Sequence, residues 1–383
     1  MKKLFALFII VSIVPLALAL PERPVTQART EINIPNIPGY LTLKCDFHMH
    51  TVFSDGLVWP TVRVEEAWRE GLDAIAFTDH IEYLPHAKDI STNNLNRAAD
   101  IAIPASKDLD IIVIRGSEIS RKMPPGHLNA IFLTNATVLA TTDWRDAVKA
   151  ARQQGAFIFW NHPGWEKQLQ DDGIVRWYPE HTELYEQGVL GGIEVVNHRE
   201  YYPEAHRWAL EKKLAILCNS DIHPPMSMDY HLYAGDHRPM TLVFAKERTP
   251  EAIKEALLNR RTAAYASNEL IGSEEFLRPI FEKSIRLKKN QITLKGKQRV
   301  LLQIANDSDI DYLLERTEDL PDIAIPKKLT LAARKTVLFD VRGKGTAIPG
   351  KKTLELPYKV TNLLVGPNEP LPISIVLDVT FTK

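Results

Sequence analysis

The chain has 383 residues, of which 45% are hydrophobic and 25% are charged, and its formal net charge is −1 at neutral pH. This composition is typical of a soluble globular protein, and the length favours two domains over one. A charge so close to zero gives no reason to expect nucleic acid as a partner.

The first 20 residues have the pattern of a secretory signal peptide. Two lysines precede an uncharged hydrophobic run over residues 4–20, and residues 17–19 read A-L-A, which is an A-x-A cleavage pattern. The alternative is an uncleaved anchor, but a run of this length is at the short limit for a membrane span. We therefore expect residues 1–19 to be removed and the protein to be exported, either periplasmic or secreted, with no stable membrane span afterwards.

Residues 20–40 are rich in Pro, Glu, Arg and Asn without any period, so we expect a linker or an extended strap. Short hydrophobic strands then alternate with amphipathic helices over residues 41–272. The predicted strands are 41–47, 73–78, 111–115, 128–133, 156–160, 192–196, 214–218 and 240–244, and the predicted helices are 61–71, 94–107, 143–154, 203–212 and 250–260. This alternation predicts a parallel sheet, either open or closed.

Residues 275–383 have a different pattern, in which short strands are separated by Asn, Asp, Gly and Pro, with no convincing helix. The predicted strands are 284–288, 291–294, 300–304, 329–331, 336–341, 353–356 and 373–379. We expect a small all-β sandwich of about 100 residues. The sequence leaves open whether this domain braces the first or contacts a glycan or cell-surface polymer.

Nine candidate metal ligands lie at the ends of the predicted strands. They are His48, His50, Asp55, His80, Glu118, His127, His162, Asp221 and His223. Imidazole and carboxylate groups bind zinc, manganese and iron. Because these candidates follow at least five strands, bringing them to one place requires a closed barrel with the site at its C-terminal mouth, not an open sheet with one switch point.

Six short motifs carry a resemblance to a known family. They are Asp46-x-His48-x-His50-Thr51, Ser54-Asp55-Gly56, Thr78-Asp79-His80, Gly116-x-Glu118, Asn161-His162-Pro163 and Ser220-Asp221-x-His223. In this order they resemble the PHP (polymerase and histidinol phosphatase) superfamily, over residues 41–270. The resemblance implies a distorted (β/α)7 barrel, followed here by the small all-β sandwich, and a three-metal site for phosphoester hydrolysis.

The resemblance also implies how the ligands are divided among three divalent ions of zinc, manganese or iron. His48, His50, Glu118 and Asp221 would hold the first ion, Asp55, His80 and His223 the second, and Glu118, His127 and His162 the third, with Glu118 bridging. Two closely spaced metal ions can stabilise the attacking and leaving oxygens of a phosphoryl transfer and activate a water. We expect an exported metal-dependent phosphoesterase that acts on a small phosphorylated substrate.

The remaining site residues are predicted from their places after strands, except Arg238, which lies in the long loop 224–239 that could close over the site. Glu118, Asp221 and His198 are the candidate catalytic residues, and His198 is placed at the barrel mouth after the strand that ends near residue 196. The candidates for binding phosphate are Arg121, Lys122, Arg199 and Arg238. Two alternatives stay open: a metallohydrolase of the same barrel that cleaves an amide or a non-phosphate ester, and a glycan-binding or surface-binding protein with a residual site.

The two cysteines, Cys45 and Cys218, each lie three residues before a candidate ligand, namely His48 and Asp221. This odd spacing places each thiol on the face opposite its ligand. In a closed seven-stranded barrel the first and last strands are neighbours, so we expect the thiols to be close together in the layer between barrel and helices. We expect them to be free, since a disulfide between adjacent strands is strained, with the bond as the alternative.

Overall fold

The computed structural model describes residues 27–91 and 93–383. The predicted signal peptide therefore lies outside the described residues. The expected succession of an α/β domain containing parallel strands and an all-β domain is confirmed. Among the described helices, none is both long enough and hydrophobic enough to cross a membrane.

The α/β domain places strands and helices in near-regular alternation. Its strands are β1 (Leu41–Asp46), β2 (Ala74–Phe77), β3 (Ile112–Ile119), β4 (Leu128–Ile131), β5 (Phe157–Trp160), β6 (Leu190–Asn197), β7 (Glu200–Tyr201), β8 (Ala215–Asn219), β9 (Met240–Ala245), β10 (Thr262–Ala266) and β11 (Glu269–Gly272). Its helices are α1 (Pro60–Arg69), α2 (Arg97–Ser106), α3 (Trp144–Gln153), α4 (Pro179–Glu186), α5 (Pro203–Lys212), α6 (Met226–Asp229), α7 (Pro250–Leu258) and α8 (Glu274–Ser284).

Two groups of parallel strands form the sheet of this domain. Strands β1, β2 and β3 are parallel to one another, and so are β5, β6 and β8. Strand β4 joins the two groups and is antiparallel to both β3 and β5. On the far side of β1, strands β9 and β10 continue the sheet in antiparallel register. The strands are almost entirely buried, which explains their nearly continuous hydrophobic sequences.

The two ends of this sheet meet through threonine hydroxyls. Strand β8 forms its described backbone ladder with β6, and its other edge faces β9 and β10. The backbone N–H of Cys218 donates to the hydroxyl of Thr241 at 2.9 Å, and that hydroxyl also lies 2.9 Å from the carbonyl oxygen of Cys218. The hydroxyl of Thr262 accepts from the N–H of Ile216 at 3.0 Å. These bonds satisfy backbone groups that would otherwise be buried without partners.

Both cysteines are buried and free, as expected, but they do not share one layer. Cys45 packs in a hydrophobic cluster with Phe47 and Phe159, whereas Cys218 belongs to a second cluster that contains Ile193. At the level of the cysteines β9 lies beside β1 and pairs Thr241 with Cys45. Beyond the strand ends the segments that follow β1 and β8 pair in parallel at Met49 and Ile222, so the two strands are neighbours, as predicted, only at the end that carries the candidate ligands. Burial raises the pKa of both thiols, which keeps them protonated.

The all-β domain is built from nine described strands in two sheets. They are β12 (Ile285–Leu287), β13 (Gln291–Lys295), β14 (Arg299–Asn306), β15 (Tyr312–Arg316), β16 (Ile323–Ala324), β17 (Lys328–Leu331), β18 (Thr336–Gly343), β19 (Gly350–Gly366) and β20 (Glu369–Thr382). One sheet has the order β12-β14-β18-β16, and the long hairpin of β19 and β20 dominates the other. Helix α8, which precedes them, was not predicted, although Phe276, Leu277, Ile280 and Phe281 bury one face of it in the core.

Three sets of contacts join the domains. Strand β11 pairs in parallel with β19, so the sheet is continuous across the junction. The side chain of Asn362 donates to the carbonyl oxygens of Asn268 and Asp311 at 2.7 Å. The segment 27–40 is extended along both domains: Arg29 donates to carbonyl oxygens next to α1, and Asn33 exchanges hydrogen bonds with Asp309 of the all-β domain.

The hydroxyl of Thr241 should contribute measurably to stability. Replacing Thr241 by Val keeps the shape but leaves the N–H of Cys218 buried without a partner, so we expect the free energy of unfolding to fall by about 1–3 kcal/mol. Chemical denaturation measures the change, and Thr336→Val on the exposed surface of β18 is the matched control. Equal stability of the two variants would show that the hydroxyl bridge does not matter.

Candidate metal centre

The nine candidate ligands converge at one end of the α/β domain. They follow β1 (His48, His50, Asp55), β2 (His80), β5 (His162) and β8 (Asp221, His223), lie within β3 (Glu118), or precede β4 (His127). The carboxyl ends of parallel strands lie at the same edge, which brings these side chains together. His127 reaches the same place because β4 runs antiparallel to β3, so that the start of β4 lies at the end where β3 finishes.

Glu118 is the centre of the cluster and has no solvent exposure. Its Oε2 lies 3.3 Å from Nε2 of His48, 3.3 Å from Nε2 of His50 and 3.1 Å from Nδ1 of His80. Its Oε1 lies 2.5 Å from Nδ1 of His127 and 3.9 Å from Nε2 of His162. Five imidazoles therefore surround a single carboxylate.

Asp221 and Asp55 complete the acidic part of the site. Oδ1 of Asp221 lies 3.0 Å from Nε2 of both His48 and His50. The carboxylate of Asp55 lies 3.4 Å from Nε2 of His80 and 3.3 Å from Nε2 of His223. Each carboxylate thus bridges two imidazoles, which is the arrangement expected of ligands that surround more than one cation.

The electrostatics of the site keep the carboxylates ionised. Burial would raise the pKa of Glu118, but His80 and His127 lower it well below its usual value. Burial, together with the neighbouring His223 and His80, lowers the pKa of His50 to about 3, so its ring is neutral. Burial opposes protonation of His80, yet Glu118 and Asp55 raise its pKa to about 9. The ionised carboxylates are therefore strongly stabilised by any positive charge that lies next to them.

A second buried acid, Glu194, holds the ligands in place. Nδ1 of His48 lies 2.9 Å from Oε1 of Glu194, which holds the ring with Nε2 directed at Glu118 and Asp221. The other oxygen of Glu194 accepts from the backbone N–H of His162 at 2.8 Å. Asn197 and Asn219 donate to the same carboxylate at 2.8 and 2.9 Å.

The ligand-bearing loops are held close to one another. The buried guanidinium of Arg63 donates to the carbonyl oxygens of His50, Ile222 and His223 at 2.7 to 3.0 Å, which fixes the loops after β1 and β8 together. A Cβ on Gly56 would lie 2.5 Å from the backbone carbon of His50, so only glycine allows the loop to fold back there. This contact explains the glycine of the Ser-Asp-Gly motif.

Two ligands have left-handed backbones, which are unusual for residues other than glycine. His162 has φ +26° and Asp221 has φ +51°. The backbone N–H of His162 donates to Glu194, and that of Asp221 donates to the carbonyl oxygen of His48 at 2.9 Å. Such strain is characteristic of functional sites, where surrounding contacts enforce it.

The donor set fits divalent metal ions. Oε1 of Glu118 and Nδ1 of His127 are buried inside the site and have no hydrogen-bond partner among the described groups other than each other, at 2.5 Å. Within the described part of the chain, four overlapping groups have ligand atoms within 4.8 Å of one another. They are His50-Asp55-His80-His223, His48-His50-Glu118, His48-His162-Asp221 and His80-Glu118-His127. Nitrogen and oxygen ligands of this kind suit zinc, manganese and iron.

The metal ligands form the floor of a cavity of about 860 Å³. Trp165 forms one wall, with its ring centroid 5.1 Å from that of His162 and 5.7 Å from that of His127. Lys122 and Lys167 line the cavity and are exposed, so both can meet an anionic substrate. Arg121 also lines it, but its guanidinium pairs with Glu82 at 2.8 Å.

Three predicted site residues do not join this cavity. Arg238 is fully buried and pairs with Asp46 at 3.0 Å and Glu70 at 2.6 Å, so its prediction as a phosphate ligand is corrected to a structural role. Arg199 donates to Asp236 and covers the ring of Tyr230. His198 is 42% exposed at its side chain and faces Asp229 at 3.6 Å, outside the ligand cluster.

Several residues that shape the centre were not predicted from the sequence. The signal for Glu194 was present, because it is an acid in the middle of the hydrophobic strand β6. Arg63 has no such signal, since a cation on an amphipathic helix ordinarily lies in solvent. Lys167 lies in the loop that follows the His162 motif, and only the fold shows that this loop borders the cavity.

Comparisons with known proteins agree with this geometry. A model of the PHP domain matches residues 46–314, and a model of an Ig-like domain matches residues 285–376. The structure is similar to a crystal structure of a two-domain protein from Bacteroides vulgatus, described as containing a predicted PHP-like metal-dependent phosphoesterase. The identity is 46%, the TM-score is 0.86, and the match covers 92% of this chain and 100% of that one.

More distant matches cover about half of the chain. A proposed metal-dependent phosphoesterase from Bifidobacterium adolescentis is 18% identical over 47% of this chain and 87% of its own length, with a TM-score of 0.37. An amidohydrolase from Chromobacterium violaceum is 17% identical over 48% of this chain and 88% of its own, with a TM-score of 0.35. No curated protein matches the chain.

Glu194 should control metal affinity without touching the metal. Four hydrogen-bond donors surround the carboxylate of Glu194, and Glu194→Gln replaces one of its two acceptor oxygens by an amide NH2 group. The ring of His48 and the backbone of His162 therefore lose their fixed orientation. We expect metal affinity to fall about 10- to 100-fold with the fold retained, measured by titration against a competing chelator. Glu211→Gln, on the exposed side of α5, is the control. Unchanged affinity in Glu194→Gln would contradict the positioning role.

Proposed function

The chain belongs to the PHP domain family and is a metal-dependent phosphoesterase, and we propose that it hydrolyses a small phosphorylated substrate at a site for three divalent ions after export from the cytoplasm. The observation that carries the proposal is the position of Glu118, a buried carboxylate within 3.9 Å of five imidazoles. A single ion cannot use all nine candidate ligands, because four to six ligands fill its coordination sphere.

The four overlapping ligand groups support a division into three metal positions. Asp55, His80 and His223 form one group, as the family resemblance implies, and His50 lies within reach of it. Glu118 with His127 forms a second, on the side where His162 lies 3.9 Å from Oε1. The third is centred on His48, which faces both Glu118 and Asp221.

The protein groups have separate tasks in hydrolysis. Divalent ions at these positions supply Lewis-acid activation of the phosphate ester and of the attacking water. Glu118 and Asp221 provide the anionic charge that retains the ions, and Glu194 fixes the ring of His48. Lys122 and Lys167 are placed to bind the phosphate oxygens or another anionic group of the substrate at the cavity wall.

An amide-hydrolysing enzyme of the same fold is the second candidate. The ligands alone do not distinguish the two reactions, since both use an activated water. The exposed lysines of the cavity favour an anionic phosphate substrate over a neutral amide. A panel of phosphomonoesters, phosphodiesters and amides, assayed with manganese, zinc and iron, distinguishes the two: turnover of amides alone would replace the phosphoesterase proposal.

Export is proposed from the sequence of the first 20 residues. A free pair of buried thiols is compatible with either side of a membrane, so the cysteines do not bear on it. N-terminal sequencing of the protein from the periplasmic or secreted fraction tests the proposal. A mature chain that starts near Leu20 would support it, and an intact Met1 in the cytoplasmic fraction would contradict it.

Loss of either central carboxylate should abolish hydrolysis. Glu118→Gln and Asp221→Asn keep the shape of the side chain but remove the negative charge that balances the cations, so we expect less than about a tenth of wild-type turnover and weaker metal binding. Steady-state kinetics and metal content are measured on the same samples. Glu211→Gln and Asp108→Asn, both exposed, are the matched controls. A charge-neutral variant that keeps its metals and its turnover would show that the ligand assignment is wrong.

A further inference from the structure

The positive charge of the chain is concentrated in the all-β domain. Residues 285–383 contain 17 Lys and Arg against 11 Asp and Glu, although the whole chain is nearly neutral. Five exposed lysines cluster at one end of the domain, and we name this end the lysine tip. They are Lys295, Lys297, Lys344, Lys351 and Lys352.

Strand register places these lysines together. Lys295 at the end of β13 pairs with Thr382, and Lys351 at the start of β19 pairs with Thr380, two residues away on β20. The side chain of Lys297 reaches the loop that follows β18, where it approaches Gly345. The α/β domain contacts β19 at Leu363, so the tip lies roughly 40 Å from the domain junction at about 3.3 Å per residue.

An exposed hydrophobic residue lies in the loop between two lysines of the tip, Lys344 and Lys351. Ile348 lies in the loop between β18 and β19 and is 87% exposed, more than any other large hydrophobic residue in the described part of the chain. The loop is held from below, because the hydroxyl of Thr346 donates to the carbonyl oxygen of Pro321 and Ala347 packs against the core. Its neighbours are thus fixed while Ile348 points into solvent.

The lysines are largely free to meet an external anion. Lys352 pairs with Asp322 at 2.7 Å. In the described structure Lys295, Lys297, Lys344 and Lys351 have no carboxylate within ion-pair distance. Lys344 donates to the carbonyl oxygen of Leu320, which fixes its position but leaves its charge uncompensated. Four uncompensated lysines and an exposed hydrophobic side chain therefore share one end of the all-β domain.

We propose that the lysine tip docks the enzyme on an anionic lipid bilayer. Lysines attract negatively charged headgroups, and an exposed hydrophobic side chain at the same end of the domain can enter the interface between headgroups and acyl chains. A polyanionic polysaccharide would satisfy the lysines but would leave Ile348 in water, so the bilayer fits both observations. The docking surface is separate from the metal centre and is independent of the substrate.

Vesicle sedimentation tests the proposal on residues 20–383, which include every described residue. The wild-type chain should bind vesicles of phosphatidylglycerol mixed with phosphatidylcholine and should not bind pure phosphatidylcholine. Ile348→Asp, and separately the double change Lys351→Gln with Lys352→Gln, should each lower the partition coefficient at least about tenfold. The effect of the lysine changes should disappear at about 0.5 M salt, where surface charges are screened.

Two matched variants control for location. Leu338→Asp changes an exposed hydrophobic residue of β18 away from the tip, and Lys327→Gln with Lys328→Gln removes the same charge elsewhere in the domain. Both should bind within about twofold of wild type, and all variants should keep their thermal midpoint and phosphoesterase activity. Absence of wild-type binding, or binding that Ile348→Asp does not reduce, would overturn the proposal. Binding to a sulfated polysaccharide that is lost when the lysines are changed, but is kept in Ile348→Asp, would also overturn the proposal.

Discussion

A carboxylate that is removed from water must be neutralised by its immediate surroundings, and Glu118 has no exposure at all. Five imidazoles lie within 3.9 Å of its carboxylate. Glu118 and Asp55 raise the pKa of His80 despite its burial, whereas burial lowers the pKa of His50 and keeps that ring neutral. Divalent cations satisfy the same demand with neutral imidazoles, so the arrangement is one that metal ions complete. The rest of the α/β domain can be understood as the framework that compensates for the burial of so many polar groups in one cluster.

Buried hydrogen bonds hold the ligand-bearing segments of this framework in place. Arg63 binds the carbonyl oxygens of two ligand loops, and Glu194 accepts four donors that include the ring of His48. Strand β4 is antiparallel to β3, so His127 reaches the site from the start of a strand and not from its end. Threonine hydroxyls join the edges of the sheet. Arg63, Glu194 and Thr241 have no solvent exposure, so these hydrogen bonds are formed entirely inside the domain.

The features that could be predicted from the sequence are those that depend on a local pattern repeated along the chain. His48 and His50 follow a hydrophobic strand, and the same arrangement recurs along the chain, so both the alternating fold and the ligand cluster could be predicted. The role of Arg238 could not, because its partners Asp46 and Glu70 are 192 and 168 residues away, and an arginine in a long loop gives the same local pattern whether it binds phosphate or pairs inside the core. Helix α8 was not predicted, although the spacing of its hydrophobic residues is visible in the sequence. The contacts of residues 27–40 and the neighbours of the strands that carry the cysteines could not be predicted, because they depend on the order of strands in space.

Metal content tests the central claim most directly. After removal of bound metal with a chelator and reconstitution with manganese, zinc or iron, elemental analysis of the purified protein gives the number of ions per chain. We expect about three divalent ions per chain, with loss of ions in Glu118→Gln because this residue belongs to more than one ligand group. Fewer than about one ion per chain after full reconstitution would contradict a metal centre at the mouth of this domain.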